Sequence, residues 1–390
     1  MSLSGCIAFL KEGRRRARAL LELGGMCLTR LLPRDGDLVL FGAWEGQQYA
    51  DNPRVLFQEA LERYPGKRCV WLTANPAILQ DLRSRKLPVC SSGSLRAAWF
   101  RLRAAYLVLS NSFRDVGGCA LLGGARVMNV WHGIPIKRIG LPPQPFWRWV
   151  RICRRKLLHY SFVATSAQVA DVFQREFLLE KDMVRVLGQA RDDLFFQPHA
   201  NPLRERFAGL KTLVYMPTFR GDWMNAPVMD LEKLLDLPAL DAFCRENGLV
   251  FLVKFHKWTR GSIGKSYERI VVLEGDWDAQ QVLDAADILI TDYSGCFTDH
   301  LLLDRPQLFF AYDLDTYMQQ DLGFLYPYEE IVPGPICPDQ SSLMAALQDL
   351  LSGNDPYASR RHQLRDFFYS PDNQGPVARK QLNAFFLCQP

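Results

Sequence analysis

A histidine, a lysine and an arginine share one short run, Trp131-His132-Gly133-Ile134-Pro135-Ile136-Lys137-Arg138-Ile139-Gly140. His132 is a proton acceptor near neutral pH, and Lys137 and Arg138 are cations that attract phosphate. The preceding Arg126-Val127-Met128-Asn129-Val130 is apolar and β-branched enough to predict a buried strand. Gly133 and Pro135 supply a turn that presents His132 at the strand's carboxyl end, where open α/β sheets bind their ligands. The combination suits chemistry on a phosphorylated substrate. It reads equally well as a turn histidine with solvated basic neighbours.

Four later loops offer partners for that chemistry. Arg191, beside Asp192 and Asp193, carries a guanidinium fork suited to phosphate, although a structural Arg–Asp pair at a hinge fits as well. Met216-Pro217-Thr218-Phe219-Arg220 sets a hydroxyl and a guanidinium behind a strand. In Lys254-Phe255-His256-Lys257, period-two alternation puts Lys254 and His256 on one side of an extended strand end. Thr291-Asp292-Tyr293-Ser294-Gly295-Cys296-Phe297-Thr298-Asp299 runs from a strand through a Ser-Gly turn into a helix. A helix start there offers N–H groups to phosphate and Asp299 to a hydroxyl. Ser294 as a plain N-cap and Asp299 as a dipole-matched acid explain the same residues.

These loops need a sheet to hold them. Leu38–Phe41, Cys69–Leu72, Tyr106–Leu109, Arg126–Val130, Ser161–Ala164 and Met183–Leu187 read as strands, with helices over Asn52–Arg63, Pro76–Arg85 and Ser94–Arg103. The pattern restarts with strands Leu213–Met216, Leu249–Phe255, Ile270–Leu273, Ile288–Thr291 and Gln307–Phe310. Helices over Leu231–Asn247, Ala279–Ala286, Cys296–Leu303 and Ser342–Leu351 go with them. Such alternation predicts an α/β protein of two doubly wound, Rossmann-like domains facing a cleft. The expected divisions are a basic amphipathic segment over 1–35, a first domain over 36–195 and a second over 196–390. The polar, turn-rich stretch from Gly188 to Pro202 marks the boundary.

Pro145–Leu157 has the pattern of an interfacial helix. Trp147 and Trp149 are interspersed with Arg148, Arg151 and Arg155, and an apolar face backed by arginines suits an anionic membrane surface. A core-facing helix with a solvated back shows the same wheel. At 390 residues and 48% hydrophobic content the chain is an ordinary globular protein, and a net charge of +5 favours anionic partners without requiring nucleic acid. The ten cysteines contain no C-x-x-C pair, and the six histidines form no H-E-x-x-H motif. Reduced thiols, no metal site and a cytoplasmic location are therefore expected. No apolar run reaches the roughly 18 residues of a spanning helix.

Taken together, these stretches resemble the CDP-glycerol glycerophosphotransferase family, the teichoic-acid primases and polymerases. That family's W-H-G-T-P-L-K-K-I-G is similar to Trp131–Gly140, its G-x-P-R-N-D to Gly188–Asp193 and its P-T-W-R to Pro217–Arg220. Its T-D-Y-S-S-x-x-x-D resembles Thr291–Asp299, with Gly295 in place of the second serine. Further matches fall at Phe41-Gly42, Asp51-Asn52-Pro53, Tyr312-Asp313 and Tyr328-Glu329-Glu330, while Lys257 interrupts the family's H-P.

The resemblance implies a GT-B-like fold and transfer of a polyol phosphate from CDP-glycerol or CDP-ribitol. The acceptor would be a hydroxyl of a lipid-linked or polymeric saccharide, in the synthesis of a teichoic acid, capsule or other cell-surface polymer, with CMP released. By carry-over His132 and His256 are the essential histidines. Gly133, Pro135, Arg191, Thr218, Arg220, Lys254, Ser294, Gly295 and Asp299 make the donor site, held mainly by the second domain. No cofactor or obligatory metal is expected, and the enzyme would sit on the inner face of the cell membrane. A GT-B glycosyltransferase using a nucleotide sugar and a non-enzymatic membrane-associated scaffold are the other readings.

Overall fold

The structure is a computed structural model that describes residues 3–139, 144–220, 229–255, 259, 261–275, 277–320 and 323–387. Apolar β-branched runs form two all-parallel sheets. In the first, strands β1 (Asp35–Gly42), β2 (Arg68–Thr73), β3 (Val89–Ser91), β4 (Ala104–Leu109), β5 (Arg126–Asn129), β6 (His159–Ala164) and β7 (Val184–Val186) lie in the order 3-2-1-4-5-6-7. Strands β1, β2 and β4 are buried on both faces, as continuous apolar runs in a parallel sheet require. Helices α1 (Leu3–Thr29), α2 (Asp51–Arg63), α3 (Pro76–Ser84), α4 (Leu95–Arg103), α5 (Pro145–Lys156) and α6 (Ala167–Phe177) belong to the same half of the chain.

The second sheet holds β8 (Lys211–Met216), β9 (Leu249–Val253), β10 (Ile270–Val272), β11 (Ile288–Thr291), β12 (Gln307–Phe310) and β13 (Ile336–Cys337). Their order repeats the first pattern, β10-β9-β8-β11-β12-β13. In both sheets the order reverses beside the first strand, between β1 and β4 and between β8 and β11. Open α/β sheets bind their ligands outside the carboxyl ends of the strands at such switch points.

The chain divides into two compact units that interleave in sequence. One comprises Met1–His132, Leu141–Arg191 and Val377–Pro390; the other comprises Gly133–Gly140 and Asp192–Pro376. This differs from the uninterrupted 36–195 and 196–390 domains expected, and the reasons are local. Lys137 bridges to Phe324, Arg138 N–H donates to the Gly323 carbonyl at 3.0 Å, and Leu325 N–H donates to Ile136 at 2.9 Å. The segment after His132 is thus bonded into the second unit. At the other end, Ala378, Leu382 and Phe385 are buried in the first unit's core with Tyr106 and Val163. Gln381 donates to the carbonyls of Leu187 and Gly188 at 3.3 and 2.9 Å.

The helix expected as a basic amphipathic lead-in packs onto the first unit. Helix α1 buries Ala19 and Leu23 against Val150 of α5, with Phe146, Trp147 and Cys153 packed around them. The Trp147 indole N–H donates to Glu12 at 3.0 Å, and Arg15 and Arg16 lie over the Trp147 and Phe146 rings. Arg155 points its guanidinium at the Phe177 and Leu178 carbonyls, 2.7 and 2.9 Å away. Of the five residues expected on a membrane surface, Arg148, Trp149 and Arg151 are exposed, while Trp147 and Arg155 are committed to packing. Among the described residues no helix is long and apolar enough to cross a membrane.

Candidate active site

Strand β5 ends where the Asn129 side chain accepts the Trp131 N–H at 3.0 Å, an Asx-type turn. Trp131 then takes a left-handed φ of 53°. Such a conformation costs a non-glycine residue roughly 1–3 kcal/mol. Packing of the indole against Phe162, Phe173 and Phe177 offsets it. His132 follows, its ring between those of Trp131 and Trp44 with centroids 4.0 and 4.9 Å away.

The His132 Nδ1 lies 3.0 Å from the Ser110 carbonyl oxygen. A carbonyl only accepts, so Nδ1 carries the proton and Nε2 keeps its lone pair. Burial lowers the His132 pKa below its ordinary value, against the opposing pull of the Asp51 carboxylate. The imidazole is therefore neutral at physiological pH, in the tautomer that a general base needs.

Asp115, fully buried, holds the Ser110 loop in place. Its Oδ2 accepts the N–H groups of Ser110, Asn111 and Ser112 at 2.9, 2.7 and 3.2 Å, and Oδ1 accepts that of Glu45 at 2.7 Å. Burial pushes the Asp115 carboxyl up to about 6, while the four N–H groups favour its ionised form. The sequence reading missed this residue, although the Ser112-x-x-Asp115 spacing is a capping-box signature.

Arg191 belongs to the same cradle. It donates to the His132 carbonyl at 2.7 Å and to Asp51 at 3.2 Å. Asn52 donates to the Val130 and Trp131 carbonyls and accepts the Arg191 N–H. Arg191 was expected to line the donor site. In the structure it braces the histidine loop within the first unit, where Asp51 at the start of α2 supplies its counter-charge.

In the second unit the loops after β8, β11 and β12 are tied together. The Asp292 carboxylate accepts the Thr218 N–H at 2.8 Å and Arg220 at 2.8 Å. Arg220 also forks onto Asp313 at 2.8 and 3.0 Å, and its guanidinium lies over the rings of Tyr293, Tyr312 and Tyr317. Burial acts to lower the Arg220 pKa, but the two carboxylates override it and hold it above the ordinary value. Arg220 was expected to bind the donor; in the structure its fork meets Asp292 and Asp313, which ties the loops together. Thr218 keeps a buried hydroxyl with no hydrogen-bond partner among the described residues.

Ser294 and Gly295 lead into a helix of five residues, Cys296–His300, shorter than expected and followed by a 3-10 turn over Leu301–Leu303. The Ser294 hydroxyl accepts the Cys296 N–H at 3.4 Å, and a Cβ at Gly295 would stand 3.3 Å from the Ile134 carbonyl. Pro135 is buried and Gly133 has a φ of 144°, both in the second unit with the donor-loop residues. Lys137 of the same segment donates to the Tyr317 hydroxyl at 2.6 Å, and Tyr317 stacks on Tyr293 at 3.9 Å.

Asp299 was expected to meet a substrate hydroxyl, but it is 2% exposed. It accepts Gln280 at 2.9 Å and the Tyr369 hydroxyl at 3.3 Å, in a buried network shared with Asp192. Lys254 follows β9, its N–H donating to the Tyr215 carbonyl at 2.9 Å. His256 lies outside the described residues.

Two doubly wound parallel sheets with strand-end loops gathered at their switch points define a GT-B-type α/β protein. The sequence model described as CDP-glycerol:poly(glycerophosphate) glycerophosphotransferase matches residues 26–385, and the chain belongs to that family. It is 24% identical to a teichoic acid poly(glycerol phosphate) polymerase of Staphylococcus epidermidis over 86% of this chain and 48% of that protein. It therefore spans about half that relative's length. It is also 24% identical to a teichoic acid glycerol-phosphate transferase of Staphylococcus aureus, covering 85% of this chain and 88% of that one. The solved wall teichoic acid polymerase TagF shares the fold with a TM-score of 0.74 and 20% identity, over 96% of this chain and 97% of that one.

Proposed function

We propose that the protein transfers glycerol phosphate, or a related polyol phosphate, from a CDP-activated donor to an acceptor hydroxyl. The acceptor is a lipid-linked or polymeric saccharide, and the product feeds a teichoic acid or similar surface polymer. The acceptor oxygen attacks the polyol-bearing phosphorus, the phosphoanhydride bond breaks, CMP leaves, and the acceptor's proton passes to His132 Nε2. The observation that carries this reading is the fixed tautomer of His132, whose Nδ1 is committed to Ser110. Relatives named for glycerol phosphate and for ribitol phosphate match about equally, at 24% and 26% identity, so the polyol is set by finer features than these motifs.

The second unit supports the donor half of the reading. Thr218 holds a buried hydroxyl with no hydrogen-bond partner among the described residues, and Ser294 and Gly295 follow Asp292, whose carboxylate accepts the Thr218 N–H. His256 and Lys254 would add positive charge against the transferring phosphoryl group. With charge supplied by side chains, the reaction needs no metal, and activity should survive EDTA. The enzyme would work on the inner face of the cell membrane.

The test is a donor panel of CDP-glycerol, CDP-ribitol and UDP-sugars with mass-resolved products. CMP release with a product heavier by one polyol phosphate is expected, reduced by about 10²–10⁴-fold in His132→Ala. UDP release, or undiminished transfer by the variant, overturns the reading.

A further inference from the structure

The loops that seat His132 also form one wall of a second feature of the first unit, a cavity of about 750 Å³. Its other walls are α1 and α5. Arg15 and Arg18 enter from α1, Arg114 from the loop after β4, and Arg151 and Arg154 from α5. Glu22 and Glu45 are the carboxylates in the lining, so five guanidinium groups outnumber the acids by three.

Arg15 also pairs with Glu12, 3.5 Å away and outside the lining, which reduces the excess to two. Glu22 is shared between Arg18 at 3.2 Å and Arg154 at 2.5 Å. Arg114 meets Glu45 at 3.4 Å with 75% and 48% of the two side chains exposed, a geometry worth little in water. Arg151 makes no ion pair among the described residues. The wall between these cations is apolar, formed by Phe113, Trp147 and Val150. A cationic groove with an aromatic wall fits an anionic head joined to an apolar tail.

The groove is also built onto the catalytic loops. Glu45 follows Trp44, whose ring lies 4.9 Å from that of His132. Ser112 and Arg114 follow Ser110, whose carbonyl fixes His132, and Asp115 ties both loops together. A ligand anchored by Arg114 is therefore anchored to the segment that orients the base.

We propose that this groove binds the phosphate or diphosphate ester of a long-chain alcohol, the anionic head of the lipid-linked acceptor, with its sugar directed towards His132. The proposal rests on the transfer reading for the identity of the acceptor, and on the groove alone for the chemistry of the head. Arg114 and Arg151 are both exposed, so glutamine at these positions leaves the α1–α5 packing in place.

Calorimetry with dodecyl diphosphate tests the site directly. Wild type should bind it, and Arg114→Gln with Arg151→Gln should weaken binding by about tenfold for each arginine removed. Arg96→Gln, a surface charge on α4 outside the groove, should change nothing. Inorganic diphosphate and dodecyl maltoside should each bind far more weakly than dodecyl diphosphate. With CDP-glycerol and a dodecyl-diphosphate disaccharide, the double variant should raise the acceptor KM by the same factor and leave the donor KM in place. Equal binding of dodecyl diphosphate by wild type and double variant overturns the proposal. So does inorganic diphosphate binding as tightly as the amphiphile, which marks an ion site, or the maltoside doing so, which marks an apolar groove. Arginine-dependent binding without CMP release from any CDP-polyol leaves the groove standing and removes the transfer reading.

Discussion

His132 works through its neighbours, and two of them make testable statements. Its pKa is lowered first by burial, while the Asp51 charge raises it. A histidine whose folded pKa is depressed contributes stability above the unfolded value, about 6.5, and loses it as pH falls through the folded value. In the proposed mechanism the same protonation removes the base. The acid limb of the kcat/KM profile should therefore lie below the ordinary histidine range, and Asp51→Asn should shift it further towards acid. Asparagine tolerates the left-handed φ of 65° at this position, so the variant tests charge rather than backbone. A limb that stays in place or moves up would show that Asp51 does not face the titrating group. Asp115 is the second case. Asp115→Asn replaces an acceptor-only carboxylate with an amide whose NH₂ confronts backbone N–H donors. A loss of about 1–3 kcal/mol in urea unfolding is expected, with reduced kcat because the Ser110 carbonyl loses its anchor. Unchanged stability would mean that the four N–H bonds are dispensable.

At the scale of elements, Arg220 is the fastener of the second unit's strand ends. It spans the loops after β8, β11 and β12 by bonding its own loop to Asp292 and Asp313. Asp292 is fully buried, so removing its partner leaves an uncompensated charge. Arg220→Gln should cost about 3–5 kcal/mol in chemical denaturation and raise the donor KM. A donor KM that rises with stability intact would instead show Arg220 reaching the donor itself. This residue also shows how far the sequence could be read. The main strands and the switch-point loops were legible because buried parallel strands are continuous apolar runs. The three-residue β3 and the two-residue β13 carry too little pattern to register. The helix expected over Leu231–Asn247 splits into Leu231–Leu234 and Leu237–Glu246, where Asp236 caps the second piece ahead of Pro238. Arg191, Arg220 and Asp299 were recognised as important residue types, but the contacts that hold them were not legible. Their partners Asp51, Asp313 and Gln280 stand 140, 93 and 19 positions away, and a local motif carries no information about such pairings.

Across the whole chain, α1 has two faces that a sequence wheel does not separate. Its inner face is core: Ala19, Leu23 and Met26 are buried, and Gly123 packs so closely on the Met26 carbonyl that a Cβ would collide with it. Its outer face leaves Leu21 and Leu28 exposed at 77% and 71%, seven residues apart and therefore on one stripe, with Arg14 a further seven residues back. Arg148 and Trp149 of α5 are exposed as well. An apolar stripe bordered by arginines is the pattern that lies in a bilayer surface, and none of these side chains lines the arginine groove. Docking and head-group binding are thus separable. Each basic residue near an anionic surface contributes about 1 kcal/mol. Arg14→Gln with Arg148→Gln should then reduce partitioning onto vesicles containing anionic lipid by roughly 30-fold, from about 2 kcal/mol. Leu21→Glu with Leu28→Glu should abolish it. High salt should weaken wild-type binding and affect the arginine variant less, because screening removes an attraction the variant already lacks. Sedimentation of all three proteins with such vesicles, at low and high salt, measures this. Equal pelleting of wild type and both variants would show that this stripe does not dock the protein on the membrane.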